Sequence, residues 1–203
     1  MKRREILRLS IAGGLASAAL RAQQTGATEV KPAVQPAANT PTDPEPQVND
    51  IEKYPKCTYC RMDRKKFHYS RMLIHYDNDP PDPLCSLRCA GVSLTTHFVD
   101  TTRTVKAIWV SDNASPDEVK PLILVDKATF LVGSKLPGVM NRRSKVAYSD
   151  VEAARAAQAA NGGELLDFDG ALLAAYTDMA ESVTRNRKLQ EERLQRTQKP
   201  MDH

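Results

Sequence analysis

Residues 56–90 read KCTYCRMDRKKFHYSRMLIHYDNDPPDPLCSLRCA and hold all four cysteines of the chain. Two residues stand between Cys57 and Cys60, and three between Cys85 and Cys89. A two-residue gap lets both sulfurs face inward from one tight turn. Ser86 reads as the N-cap of a helix beginning SLRCAGVSLTTHF, with Cys85 just outside it and Cys89 in its first turn. The two pairs can therefore converge on one tetrahedral point. The helix N-terminus should lower the pKa of Cys89, and thiolate is the form that ligates metals. Between the pairs, Ser70–Tyr76 alternates as a strand does.

Three chemistries fit this spacing. Four thiolates can hold a metal, four cysteines can form two disulfides that staple a small domain, and a C-x-x-C pair can be redox-active. A Cys₄ tetrahedron alone favours structural Zn²⁺. Soft sulfur with methionine nearby favours Cu(I). Met62, Met72 and Met140 are candidate thioethers, and His68, His75 and His97 are candidate auxiliary ligands.

Outward from the cysteines, strands and helices alternate, which predicts a single small α+β domain of short antiparallel strands and helices. Val105–Val110 reads as a strand, and Leu122–Val132 as one strand or two. Gly133–Gly138 is a turn-rich loop leading to Met140. Ser149-Asp150-Val151-Glu152 fits a capping box, opening an alanine-rich helix that stops at Gly162-Gly163. A short strand, Glu164–Phe168, precedes a long C-terminal helix from about Gly170. Its expected apolar face is Leu172, Leu173, Tyr176, Met179, Ala180 and Val183. Residues 51–185 form the expected metal-binding domain, and residues 186–203 a charged, solvated, fraying tail.

The 203 residues carry a formal charge of +4, and residues 1–22 alone hold five cations against one anion. Without that segment no net charge remains to hold nucleic acid. The segment itself reads as an export signal: a basic start, then an apolar stretch too short to span a bilayer, ending in small residues. Arg3-Arg4-Glu5-Ile6-Leu7-Arg8 gives it a twin-arginine character. The expected location is periplasmic, with membrane contact only through an uncleaved signal. Residues 23–50 hold five prolines and no aromatic residue, the composition of a linker. No G-x-G-x-x-G, P-loop, G-x-S-x-G or H-E-x-x-H pattern occurs, so nothing favours an enzyme.

From Tyr54 to Met179 the chain resembles the NosL-type nitrous oxide reductase accessory proteins. KCTYCRMDRKKFHYSRMLIHYD, LCSLRCA and VGSKLPGVM carry the likeness, and the cysteine motif also resembles YHS and TRASH modules. The resemblance implies an exported Cu(I) chaperone that serves a copper enzyme or its maturation complex. It implies metal binding by Cys57, Cys60, Met62 and Met140, with Cys85 and Cys89 as the second pair of one branch. The chain departs from the family at Arg61, where glycine is common, and in having no cysteine before Cys57 for lipid attachment. A zinc- or disulfide-stabilised interaction module and a thiol oxidoreductase are the alternatives.

Overall fold

In β1 (Met72–Tyr76), Met72, Ile74 and Tyr76 point into the main core and Leu73 and His75 to the opposite face. The computed structural model describes residues 42–96 and 99–198. β1 lies antiparallel between β2 (Asp82–Leu84) and β3 (Val105–Ser111), and β3 pairs onward with β4 (Leu122–Leu124). Met72 stands opposite both Leu84 and Val110, so this register puts Cys85 immediately beyond the β2 end beside the start of β1. A 3-10 turn, Val125–Lys127, separates β4 from β5 (Thr129–Val132), which joins a second antiparallel sheet between β6 (Lys145–Tyr148) and β7 (Glu164–Leu166). The apolar stretch 122–132 is thus two strands in two sheets. The molecule is α+β, as expected.

Four helices complete it: α1 (Asp50–Lys53), α2 (Leu87–Thr96), α3 (Val151–Asn161) and α4 (Phe168–Gln198). The cap of α3 is Asp150, one residue later than the capping box implied. Its carboxylate accepts the Glu152 N–H at 2.8 Å, while the Ser149 hydroxyl is drawn instead to Asp112 at 2.6 Å. The chain leaves α3 through Gly163 at φ 96°, where a Cβ would lie 2.7 Å from the Val132 carbonyl oxygen, so only glycine fits.

The inner face of α4 differs from the expected one. Ala171 and Ala175 are fully buried, whereas Leu173 and Val183 are each 68% exposed. Small side chains one turn apart bring α4 close to its neighbours, and Leu172, Tyr176 and Met179 flank them. A Cβ on Gly91 of α2 would lie 3.1 Å from the Tyr176 ring, and the Tyr176 hydroxyl donates to the Gly91 carbonyl at 3.1 Å. Beyond Arg185 the helix continues to Gln198 with its side chains almost wholly in solvent.

Residues 42–50, placed in the linker by their prolines, belong to the folded unit. Pro46 and Asp50 are buried, and Asp43 accepts from Lys53 Nζ at 2.8 Å and the Tyr54 hydroxyl at 2.9 Å. The expected export signal, the linker as far as residue 41, the last residues of the tail and His97 lie outside the described residues.

Candidate metal centre

Cys57 to Met62 form a tight knuckle. The Arg61 N–H donates to the Cys57 carbonyl and the Cys57 N–H to the Met62 carbonyl, both at 3.0 Å. Closing this turn takes Arg61 to φ 62°, the left-handed region that glycine enters freely. A glycine at this position would meet the turn without that steric cost. The Thr58 N–H donates to the Pro83 carbonyl at 2.9 Å, hanging the knuckle on the outer edge of β2. The strand that receives it was not legible in the sequence, because Pro80, Pro81 and Pro83 argue against one. Only an edge strand tolerates such a proline.

The second pair comes from the β2–α2 junction. The Ser70 hydroxyl donates to the Cys85 carbonyl at 2.8 Å, and the Ser86 carbonyl accepts the Ala90 N–H at 3.1 Å, closing the first turn of α2 around Cys89. All four sulfurs then lie within 4.8 Å of one another. Cys60 Sγ is 3.3 Å from Cys85 Sγ, and Cys89 Sγ is 3.8 Å from each of them. A tetrahedron with metal–sulfur bonds of about 2.3 Å has edges of about 3.8 Å, so the donor set fits a thiophilic metal. The four thiols are free, with Cys57, Cys85 and Cys89 buried and Cys60 only partly so.

Hydrogen bonds from Cys85 and Cys89 hold the Cys57 thiol well below its ordinary value, so negative charge collects on Cys57. The same bond to Cys57 pushes Cys85 up to about 12, and Cys57 and Cys85 together push Cys89 up. The expected lowering at Cys89 is overturned: neighbouring sulfurs at this range outweigh the half-charge of a helix end.

Among the candidate auxiliaries, Met62 is half-buried beside the core that contains the cysteines, and Met72 is fully buried within it. Met140 is 39% exposed at φ 64°, next to the buried Val139. Val139 and Asn141 line a small crevice with Ser86, Leu87 and Arg88, so the methionine loop borders the first turn of α2. Arg143 and Lys145 both pair with the buried Asp178 of α4, pinning the loop's far end. His68 and His75 are engaged elsewhere. His68 Nδ1 accepts the Lys120 N–H at 3.3 Å, and His75 lies on the β1 face away from the cysteine-bearing core. Among the described residues, only the four cysteines form a compact cluster of potential ligands of the Cys, His or carboxylate type.

Sequence reasoning missed the buried charges that frame the site. Arg64, fully buried, donates through Nη2 to Asp50 Oδ2 at 2.8 Å and the Met72 carbonyl at 3.1 Å, and through Nε to the Leu84 carbonyl at 3.2 Å. Arg71 holds both oxygens of the same carboxylate, at 2.9 and 3.0 Å. Burial pushes the Arg64 guanidinium down from its ordinary value, opposed by Asp50 and by the Cys57 charge. In sequence, Arg64 lies within the run Asp63-Arg64-Lys65-Lys66, which reads as solvated surface. A second network joins the Tyr59 and Tyr76 hydroxyls to the buried Asp82, each at 3.4 Å, with Arg103 stacked on the Tyr76 ring at 3.8 Å.

A small α+β domain with four convergent free thiols defines a cysteine-based metal-binding protein as the class. The sequence profile of the NosL family matches residues 47–172, a span that includes Asp50, all four cysteines, Met62 and Met140, and the chain belongs to that family. Two solved structures are similar to it. One is the copper chaperone NosL from Shewanella denitrificans, 23% identical, covering 66% of this chain and 96% of that one, with a TM-score of 0.47. The other is the apo-NosL protein from Achromobacter cycloclastes, 23% identical, covering 48% of this chain and 82% of that one, with a TM-score of 0.34. No curated protein matches the sequence.

Proposed function

We propose that this chain is an exported Cu(I) carrier without catalytic turnover, delivering its cargo to a periplasmic copper enzyme or that enzyme's maturation complex. The family resemblance points to nitrous oxide reductase as the client, and the composition of residues 1–22 supports export. The observation that carries the reading is the cluster itself: four free thiols within 4.8 Å, three buried and one reaching solvent. Soft thiolates select Cu(I), and the three buried sulfurs keep the ion from water. Cys60 is the point where a partner's ligand adds before the others release. Met62 or Met140 serves as the weaker, exchangeable donor, because a thioether is neutral and does not compete for charge.

The near-tetrahedral sulfur spacing favours one second reading, a structural Zn²⁺ site that only holds the fold. Protein purified anaerobically and subjected to metal analysis, free-thiol counting and competition with a Cu(I) chelator separates the two. Cys57→Ser, Cys60→Ser and Cys89→Ser should each weaken Cu(I) binding by at least about tenfold, since each removes one of the few soft donors. Met62→Leu and Met140→Leu, nearly volume-conserving, should leave the fold intact, and at least one should alter Cu(I) transfer to an accepting protein. Full zinc occupancy with no dependence on either methionine would put the structural reading first.

A further inference from the structure

We propose that the four-thiol cluster also reduces Cu(II), expending one particular pair, Cys60 and Cys85, and keeping Cys57 and Cys89 to hold the Cu(I) produced. The inference rests on the copper-carrier reading for where the ion is held, and departs from it by giving the site one redox step that carriage alone does not need.

Three observations single out the pair. Cys60 and Cys85 sulfurs lie 3.3 Å apart, nearer than Cys85–Cys89 and Cys89–Cys60 at 3.8 Å each. A disulfide needs about 2.05 Å, so this pair has a shorter path to closure than either of those two. Cys60 is the one cysteine of the four that is not buried, so an oxidant arriving from solvent meets it first. The backbones are also suited to the step. Cys60 sits in the surface knuckle, flanked by the exposed Tyr59 and Arg61, whereas Cys85 is anchored through its own carbonyl by the Ser70 hydroxyl at 2.8 Å.

Donor chemistry supplies the direction. Cu(II) favours tetragonal sets of nitrogen and oxygen, and Cu(I) favours sulfur. Among the described residues, the only such cluster of Cys, His, Asp or Glu ligands is all sulfur. Binding there stabilises the reduced ion over the oxidised one. The balanced step takes two Cu(II) ions and the two thiols of Cys60 and Cys85. Both S–H bonds break, their protons go to water, one S–S bond forms, and each copper accepts one electron to become Cu(I). One Cu(I) stays on the buried Cys57 and Cys89, and the other leaves to a chelator or partner. A dithiol donor restores the pair by thiol–disulfide exchange.

The test uses the full chain, fully reduced and kept anaerobic, titrated with a Cu(II) salt. The electron paramagnetic resonance signal of about two equivalents of Cu(II) per chain should disappear while the thiol count falls from four to two. Trypsin cuts at Lys56, Arg61, Arg71 and Arg88, so peptide 57–61 should emerge joined to peptide 72–88 by Cys60 and Cys85. Cys57 and Cys89 should remain free to alkylate. Cys60→Ser should abolish that linkage and slow Cu(II) loss at least tenfold. Persistent Cu(II) signal, thiol loss through dimers of the chain, linkage through Cys57 or Cys89, or a wild-type rate in Cys60→Ser would each overturn the proposal. Direct titration with Cu(I) tests the carrier reading separately. A chain that binds Cu(I) but leaves Cu(II) unreduced sinks the reductase alone, and one that reduces Cu(II) without holding Cu(I) sinks the carrier and keeps the reductase.

Discussion

Arg61 shows what a single residue can reveal about this site. Its φ of 62° is imposed by the knuckle, whose two backbone hydrogen bonds tie Cys57 to Arg61 and to Met62. A side chain in that region costs about 1–2 kcal/mol, and glycine avoids it at the expense of a more flexible unfolded chain. Arg61 is exposed, so nothing else is lost on replacing it. Arg61→Gly should therefore raise stability by about 0.5–1 kcal/mol, read as a higher urea midpoint at unchanged slope. An unchanged or lower midpoint would mean that the turn does not strain the arginine. Charge is the other residue-scale lesson. Cys89 sits in the first turn of a helix, yet its protonation is governed by Cys57 and Cys85. A contact that only the folded chain makes outweighs a local effect legible in the sequence.

At the scale of elements, α1 is only four residues long and could not persist alone. It is held because Asp50 neutralises two buried guanidinium groups. Arg64 is fully buried and Arg71 is 3% exposed. Arg64 in turn bonds the carbonyls of Met72 and Leu84, so α1, the knuckle's exit, β1 and the end of β2 are joined at one point. Leu84 precedes Cys85, which makes this joint part of the scaffold of the metal centre. Asp50→Ala would leave both cations buried without a counterion and should cost about 3–5 kcal/mol. Chemical denaturation measures it, and a loss under about 1 kcal/mol would show that the carbonyls suffice. The same change should loosen the cysteine cluster, because the element carrying Cys85 loses its brace.

At the scale of the whole molecule, two buried or half-buried histidines make the fold sensitive to acid. Burial pushes His68 down from its ordinary value, with Arg71 and Lys120 adding to the effect. Burial does the same to His75, aided by Lys106. An unfolded histidine titrates near 6.5. The unfolded chain therefore takes up protons before the folded one as pH falls, and stability declines from about pH 7 downward until both folded groups are protonated. Urea midpoints should drop between pH 7.5 and 5.5, and His75→Gln with His68→Gln should flatten that dependence. A double variant as acid-sensitive as the parent would place the titration elsewhere.

The sequence by itself determined what depends on spacing along the chain. Two cysteine pairs with gaps of two and three residues, the helix that opens between Cys85 and Cys89, the strand 105–110 and the long terminal helix all follow from turn geometry and periodicity. Those are properties of neighbouring residues, and they survived into the structure. Tertiary structure alone decided what depends on residues far apart. β2 exists because Pro83 can occupy an edge and offer its carbonyl to Thr58, 25 residues away. Asp50 becomes a structural ion only where Arg71, 21 residues on, folds back to it. The inner face of α4 runs through Ala171 and Ala175 rather than the leucines, because close approach to α2 rewards small side chains over large ones. Which of four chemically identical thiols reaches solvent is likewise written in no local pattern. It is set by how the knuckle docks on β2, and that docking leaves Cys60 at the surface and closes the other three inside.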